Sequence, residues 1–314
     1  MVEKNIPLLD SKISKFKSSF LSQNKNENNK DKIIYISDFD YTITSKYDYS
    51  TNEKLYNSYE IYNQNVFGED HSLYLERDKK LYEEYAKYED DSSFDYETRK
   101  EKTFEWYKYA LLNMSHPKLT IDSIKKMVDM NLNKIKFRKK FKELFELLIK
   151  NNIPIIIISG GIKEIIKETL KILNIDGLED YFKKKRIIII ANSLFDDNLK
   201  LINWQEKKDD IIYPFNKNIM TKKIIEKNFN GFENVFIVGD YVTDYYPISE
   251  LKLNTQENII GIGFLSYEPK KLKSIEEIKK DSIYKEYEKV YDVTLLNDEG
   301  YDFIINIFKQ ILIL

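Results

Sequence analysis

The sequence predicts a doubly wound parallel α/β sheet interrupted by a helical insertion. Two observations carry this. From residue 138 onward, short apolar runs rich in β-branched residues alternate with segments of helical period, the pattern of a parallel sheet covered on both faces. Between about residues 50 and 135 there is no strand-like run and a single glycine, Gly68. Tyr, Glu and Lys dominate there, as in Tyr82-Glu83-Glu84-Tyr85-Ala86-Lys87-Tyr88-Glu89. That texture reads as a small helical domain inserted after the first strand.

In chain order, residues 1–31 are expected to form an amphipathic lead-in over 10–22 and then a mobile Lys/Asn linker. Ile33-Ile34-Tyr35-Ile36 marks a buried strand over 32–38. The expected core is 32–47 with 138–314, and the insertion is 48–137. A helix over 138–150 puts Phe141, Leu144, Phe145, Leu147 and Leu148 on one side. Ile153 to Ile158 is a buried strand ended by Ser159-Gly160-Gly161, and Ile162, Ile165, Ile166, Leu170 and Leu173 give the helix 162–173. Strand 187–190 leads into an irregular, hairpin-like stretch over 192–214 that turns at Asp196-Asp197-Asn198. Helix 218–228, strand 234–238 ending at Gly239-Asp240, strand 257–264, a charged helix over 274–289, strand 291–296 and helix 299–313 complete the run.

Composition narrows the chemistry. The net charge is −2, from 50 basic and 52 acidic side chains, which argues against nucleic acid as a main partner because phosphate backbones need a basic surface. The run Lys183-Lys184-Lys185-Arg186 reads as a solvated helix end. Without cysteine, disulfides, thiolate metal sites and cysteine nucleophiles are excluded. His71 and His116 are the two histidines, so the oxygen ligands that suit magnesium are the available donors. No secretory h-region is visible, and Asn306, Lys309 and Gln310 interrupt the apolar C-terminal stretch. A cytoplasmic monomer without membrane attachment is expected.

Candidate chemistry sits at the strand ends. Asp38 and Asp40 follow the first strand two residues apart, so both can enter one crevice. Such a pair can act as nucleophile and as acid and base, or simply close the strand with a polar turn. Ser159-Gly160-Gly161 can bind phosphate or cap a helix. Lys217 can be a phosphate cation or a solvated lysine. Asp240 and Asp244 can serve a metal site or cap the next helix. In a doubly wound sheet all four places converge on the crevice beyond the carboxyl ends of the strands. Together they supply a hydroxyl, backbone N–H groups and a cation for a phosphate, with two carboxylates, Asp38 and Asp240, for a hard metal ion.

The order DxDxT, strand-Ser-Gly, Lys, strand-Gly-Asp-xxx-Asp resembles the haloacid dehalogenase superfamily, a Rossmann-like fold. Ile155 to Leu173, Ala191-Asn192, Pro214-Phe215-Asn216-Lys217, Gly261-Ile262-Gly263-Phe264-Leu265, Tyr291-Asp292-Val293 and Asn297-Asp298-Glu299 resemble the cytosolic type III (pyrimidine) 5′-nucleotidase family, as does Phe104-Glu105-Trp106-Tyr107 in the insertion. The similarity spans roughly residues 32–313. It implies Asp38 as nucleophile and magnesium ligand. Asp40 would be the general acid and base and would give magnesium its carbonyl oxygen. Thr42 would hold the loop within a phosphate-binding set completed by Ser159, Gly160 and Lys217. Asp240 would be the other carboxylate ligand, supported by Asp244. The insertion would be a helical cap, with Glu105 and Trp106 toward the nucleoside and Tyr85 and Tyr88 as weaker stacking candidates. From spacing alone, Glu105 and Trp106 read first as a packed helix face, and it is the resemblance that turns Glu105, and to a lesser degree Trp106, toward the nucleoside.

Gly160 stands where that family often has Ala, Tyr241 where Ser usually follows the aspartate, and Thr243 where Gly is usual. These departures keep the Asp240–Asp244 spacing and change the wall of the site. The resemblance implies a magnesium-dependent nucleotidase acting on UMP and CMP through an aspartyl-phosphate, with phosphotransfer to nucleosides as a side activity. Nearby carboxylates are expected to raise the Asp40 pKa. A 7-methylguanosine monophosphate nucleotidase, another small-molecule phosphatase of the same fold, and a silent nucleotide-binding protein are the alternatives.

Overall fold

The computed structural model of the chain describes residues 2–3, 6–25, 32–63, 70–91, 93–229, 232–248, 251 and 256–313. Its strands are β1 (Val2–Glu3), β2 (Ile33–Ser37), β3 (Tyr47–Asp48), β4 (Glu53–Lys54), β5 (Ile155–Ile162), β6 (Ile187–Asn192), β7 (Asn234–Gly239), β8 (Ile259–Leu265) and β9 (Val293–Leu296). Its helices are α1 (Ile6–Lys25), α2 (Ser58–Tyr62), α3 (Asp70–Tyr85), α4 (Lys87–Asp90), α5 (Tyr96–Met114), α6 (Ile121–Met130), α7 (Phe141–Lys150), α8 (Lys163–Lys171), α9 (Leu178–Lys183), α10 (Lys217–Asn228), α11 (Ile275–Ile278), α12 (Ser282–Val290) and α13 (Asp302–Leu312).

The main sheet runs β1-β9-β8-β7-β2-β5-β6. From β9 to β6 every pairing is parallel, and only β1 lies antiparallel, on β9. β2 is the switch point, because the chain winds through β5 and β6 on one side and through β7, β8 and β9 on the other. A crevice opens at the carboxyl end of such a strand. Both faces of β2 are buried, which is why its sequence is an unbroken apolar run. Ile33 and Tyr35 join one core with α1, α7 and α13, while Ile34 and Ile36 join another with α10.

Phe308 of α13 is fully buried, its ring 4.8 Å from that of Phe236 on β7 and 6.2 Å from that of Tyr35 on β2. Deleting a buried aromatic removes its transfer free energy and leaves a cavity. Phe308→Ala is therefore expected to lower stability by about 3–5 kcal/mol in urea denaturation. A loss below about 1 kcal/mol would mean that this packing does not hold α13 to the sheet.

The N-terminal segment differs from its expected role as a lead-in. α1 places Leu9, Ile13, Phe16 and Phe20 in the main core, and its buried Lys12 is ion-paired to Asp292 at 2.7 Å. The helix is a layer of the sheet's cover. β1 is too short for a period-2 pattern to reveal it. The expected Lys/Asn linker falls largely at residues 26–31, outside the described residues, as does Gly68. The helix expected over 274–289 is divided into α11 and α12. Asp281 separates them, accepting a hydrogen bond from the Ile283 N–H and so capping α12. Ser159-Gly160-Gly161 does not end its strand. β5 continues through them to Ile162 with a register shift against β6.

The chain leaves the core at Thr44 and returns beside itself at Phe137, with which Thr44 forms an antiparallel bridge. The Ser45 N–H donates to the Lys136 carbonyl at 2.8 Å and the Tyr56 N–H to that of Lys134 at 3.0 Å. Between these crossings, α2 to α6 pack Ile61, Tyr62, Met114, Ile124 and Met127 into a core that runs on into Ile162, Ile165, Trp204 and Ile211. Among the described residues, no helix is long and apolar enough to cross a membrane.

Candidate active site

Asp38 is the first residue past β2. Its N–H still donates to the Val238 carbonyl of β7 at 3.0 Å, so the sheet ladder fixes its backbone. Asp38 is 6% exposed, and Lys217 Nζ lies 2.9 Å from its Oδ1. Lys217 opens α10, is itself 6% exposed, and donates a second time to Asp244 Oδ1 at 2.7 Å. The solvated-lysine alternative is thereby overturned. Asn216 holds the approach to α10 by accepting from the Tyr213 N–H and donating to the Ile211 carbonyl.

Asp240 follows β7 and accepts a hydrogen bond from the Thr42 hydroxyl at 3.2 Å. Thr42 is fully buried and directs its hydroxyl at that carboxylate, so it orients Asp240 from within the first loop. Asp244 lies in the 3-10 turn Val242–Ile248 and accepts from the Tyr241 N–H at 3.0 Å. It is a direct partner of Lys217. Tyr241 itself is 41% exposed, which explains why a large side chain is tolerated after Asp240.

One carboxylate oxygen from each of Asp38, Asp240 and Asp244 lies within 4.8 Å of the others. Lys217 is the cation in direct contact with two of them. Burial pushes the Asp38 carboxyl up, opposed by Lys217 and reinforced by Asp244 and Asp240. Burial and then Asp244 push Asp240 up to about 7. Three crowded carboxylates against one ammonium leave an excess of negative charge, which a divalent cation would neutralise, and an all-oxygen donor set suits magnesium. The residues therefore fit such an ion.

Asp40 accepts from the Ser58 N–H at 2.7 Å through Oδ1 and from the Ser58 hydroxyl at 2.6 Å through Oδ2. Burial pushes its carboxyl up to about 6, while the two Ser58 hydrogen bonds pull it down. The rise is in the expected direction, with desolvation as its main cause and Glu60 as a nearby carboxylate that adds to it. Ser58 starts α2, whose capping box pairs Asn57 with Glu60. Glu60 also accepts from the Tyr41 hydroxyl at 2.9 Å. Tyr41 has φ +63°, the left-handed turn that swings the chain from Asp40 back to Thr42.

Arg138, 3% exposed, fixes that turn. Its guanidinium donates to the Tyr41 carbonyl at 2.8 Å, the Asn297 carbonyl at 2.9 Å and the Ser266 hydroxyl at 3.0 Å. Ser159 is 2% exposed and its Oγ accepts from the Gly161 N–H at 3.0 Å. A Cβ on Gly161 would fall 1.9 Å from Ser58 Oγ and 2.8 Å from Asp40 Oδ2, so only glycine lets α2 close on this strand. Asn192 donates to the Gly160 carbonyl at 2.7 Å, locking the next peptide.

The four cap residues expected at a nucleoside are engaged within the insertion. Glu105 pairs with Lys102 at 2.7 Å, and Trp106 packs edge-on to Tyr82 and Tyr107. Tyr85 is buried with its ring 6.1 Å from that of Tyr109, and Tyr88 lies 4.7 Å from Phe94. The α5 residue set against the strand ends is Tyr107, beside Gly160. Ser58 and Arg138 were not singled out from the sequence, while Asn192 and Tyr107 entered only within segments that carry the resemblance, with no role given to them. Asn57-x-x-Glu60, a capping-box pattern, was the legible signal for Ser58.

A buried carboxylate past the central strand, a second two residues on, a buried lysine and a strand-end aspartate sit together at the switch point, in the order that resembles the haloacid dehalogenase pattern. The crystal structure of cytosolic 5′-nucleotidase IIIB bound to cytidine matches with a TM-score of 0.75 at 19% identity, over 99% of this chain and 93% of that one. At that identity the likeness is one of fold. In sequence, the 7-methylguanosine phosphate-specific 5′-nucleotidase A of Xenopus laevis is 26% identical over 283 residues, 89% of this chain and 87% of the relative. The 7-methylguanosine phosphate-specific 5′-nucleotidase of Gallus gallus is 26% identical over 286 residues, 90% and 88% of the two chains. Residues 41–312 match the pyrimidine 5′-nucleotidase (UMPH-1) family. The chain belongs to that family, whose enzymes are phosphoric monoester hydrolases.

Proposed function

We propose that the chain is a magnesium-dependent, cytoplasmic 5′-nucleotidase that converts pyrimidine nucleoside monophosphates, UMP and CMP, to nucleoside and phosphate. The observation that carries this is the buried Asp38–Lys217–Asp244 cluster beside Asp240 at the switch point of a chain in the pyrimidine nucleotidase family. The side chains of Asp38 and Asp240 and the Asp40 carbonyl would hold the ion, with Asp244 beside them. When bound, magnesium supplies positive charge to the phosphoryl oxygens.

The phosphate would rest against Ser159, the Gly160 N–H and Lys217. Asp38 attacks phosphorus in line, an Asp38 O–P bond forms and the P–O5′ bond breaks. Asp40, with a carboxyl lifted toward neutrality, gives its proton to the departing O5′. Water then donates a proton back to Asp40 and attacks phosphorus, which frees Asp38 and releases phosphate. A nucleoside hydroxyl in place of water gives phosphotransfer. The segment 48–137 acts as a cap over this crevice, with Glu105, Trp106, Tyr85 and Tyr88 on its nucleoside side, and its closure excludes water from the first step.

The names of the relatives from Xenopus laevis and Gallus gallus favour one second reading, 7-methylguanosine monophosphate as substrate. Phosphate release across UMP, CMP, dUMP, AMP, GMP, 7-methyl-GMP and phosphoserine decides between them. UMP and CMP are expected to be turned over fastest, and 7-methyl-GMP leading would replace the pyrimidine assignment. Chelation of divalent ions is expected to cut the rate by at least about a hundredfold, as for loss of the main charge-neutralising group in phosphoryl transfer, with recovery on adding magnesium. Full activity in chelator would exclude the metal role.

A further inference from the structure

Tyr107 is the α5 side chain that reaches the strand ends, and Gly160 is where it lands. A Cβ on Gly160 would lie 2.9 Å from the Tyr107 hydroxyl oxygen and 3.0 Å from its Cε1. Asn192 holds the Gly160 carbonyl at 2.7 Å, while Trp106 and Tyr213 pack against the phenol at 5.9 and 6.3 Å between ring centres. The charges that bear on the hydroxyl are Glu89 on α4 and then Lys217, Asp38 and Asp40 of the site itself. Among the described residues, no group hydrogen-bonds that hydroxyl. Among the described residues it is a donor without a partner, next to the peptide that follows Ser159 and close to the carboxylates of the site.

We infer that Tyr107 is a further substrate-contacting residue, donating its hydroxyl proton to a phosphoryl oxygen of the bound ester, and that Gly160 lacks a side chain so that Tyr107 can reach it. The inference rests on the nucleotidase reading above and extends it to a donor brought down by the insertion. Ser159, Lys217 and the Gly160 N–H approach the phosphate from the core. Tyr107 approaches from the opposite side, so the phosphate group is gripped by both parts of the chain. A phenol suits this position because it offers a proton without adding a charge next to three carboxylates.

The test uses the full chain with magnesium and the variants Tyr107→Phe, Gly160→Ala and the double variant. Two quantities are read: steady-state phosphate release from UMP, and the Kd of inorganic phosphate by calorimetry. Tyr107→Phe is expected to lower kcat/KM for UMP by about tenfold to a hundredfold, the usual effect of losing a hydrogen bond to a charged group. The phosphate Kd rises in parallel, with the thermal midpoint unchanged. Gly160→Ala is expected to weaken both in the wild-type background and to add little on top of Tyr107→Phe, since the two act through one contact. An unchanged phosphate Kd in Tyr107→Phe, even with a raised KM for UMP, overturns the inference, because the contact would then be to the nucleoside. So does full additivity of the two substitutions. If the wild type releases no phosphate from any nucleotide, the nucleotidase reading fails by itself, and the phosphate Kd of Tyr107→Phe still decides the contact.

Discussion

Asp38→Asn abolishes phosphate release from UMP and CMP while the protein stays folded. The substitution keeps the shape of the side chain and its place 2.9 Å from Lys217, and it removes the nucleophilic oxygen. Loss of a covalent nucleophile is expected to lower turnover by at least about a thousandfold. The direction of the stability change is also set. Burial holds the Asp38 carboxyl above its ordinary range, so at neutral pH its charged form opposes folding. The sign follows from linkage: a carboxyl raised in the folded state binds more protons there, and stability falls as pH rises through that window. A neutral amide avoids this, so the thermal midpoint of Asp38→Asn at neutral pH should match or exceed that of the wild type. Wild-type-like turnover, or a protein unfolded at room temperature, would contradict this role for Asp38.

Lys217→Met has the opposite balance. The ammonium is buried and holds Asp38 at 2.9 Å and Asp244 at 2.7 Å, with Asp240 close by. Removing it leaves carboxylates unpaired inside the protein, a change expected to cost about 3–5 kcal/mol of stability. It also takes away a cation from the phosphoryl oxygens, so phosphate release should fall by roughly a hundredfold to a thousandfold. A divalent ion bound among the same carboxylates stabilises the fold in proportion to its affinity. Magnesium should therefore raise the urea midpoint of Lys217→Met more than that of the wild type. A stability loss under about 1 kcal/mol would show that the lysine is not the partner that makes this cluster tolerable.

The sheet was legible because each of its parallel strands is buried on both faces, which forces runs such as Ile155 to Ile158 that helices and loops do not share. The site was legible because strand ends at a switch point are few: Asp38 and Asp240 directly follow β2 and β7, Ser159 lies near the carboxyl end of β5, and Lys217 opens α10. The supporting residues were hidden because their roles are long-range. Nothing local marks Arg138 as the partner of carbonyls at Tyr41 and Asn297, or Asn192 as the brace of Gly160. The partner of Thr42 was hidden too, because a hydroxyl in the first loop can turn several ways and only packing directs it at Asp240. α1 was underread because its apolar face pays no visible tribute to the sheet until Lys12 is seen beside Asp292. In the insertion, Glu105 and Trp106 drew the eye as an uncommon pair. Helical geometry carries the next residue, Tyr107, to the strand ends, about 100° further round α5.

The central claim is that phosphate passes through Asp38. It is tested by acid-quenching the enzyme during turnover of UMP with magnesium and mapping the phosphoryl group by mass spectrometry. The measurement is made on the wild type and on Asp40→Asn, in which loss of the proton carrier slows both the attack by Asp38 and the later attack by water. The expected result is one phosphoryl group on the peptide that contains Asp38 in the wild type, formed more slowly in Asp40→Asn. Continued turnover with Asp38 unmodified in both proteins, or a phosphoryl group on another residue, would contradict it.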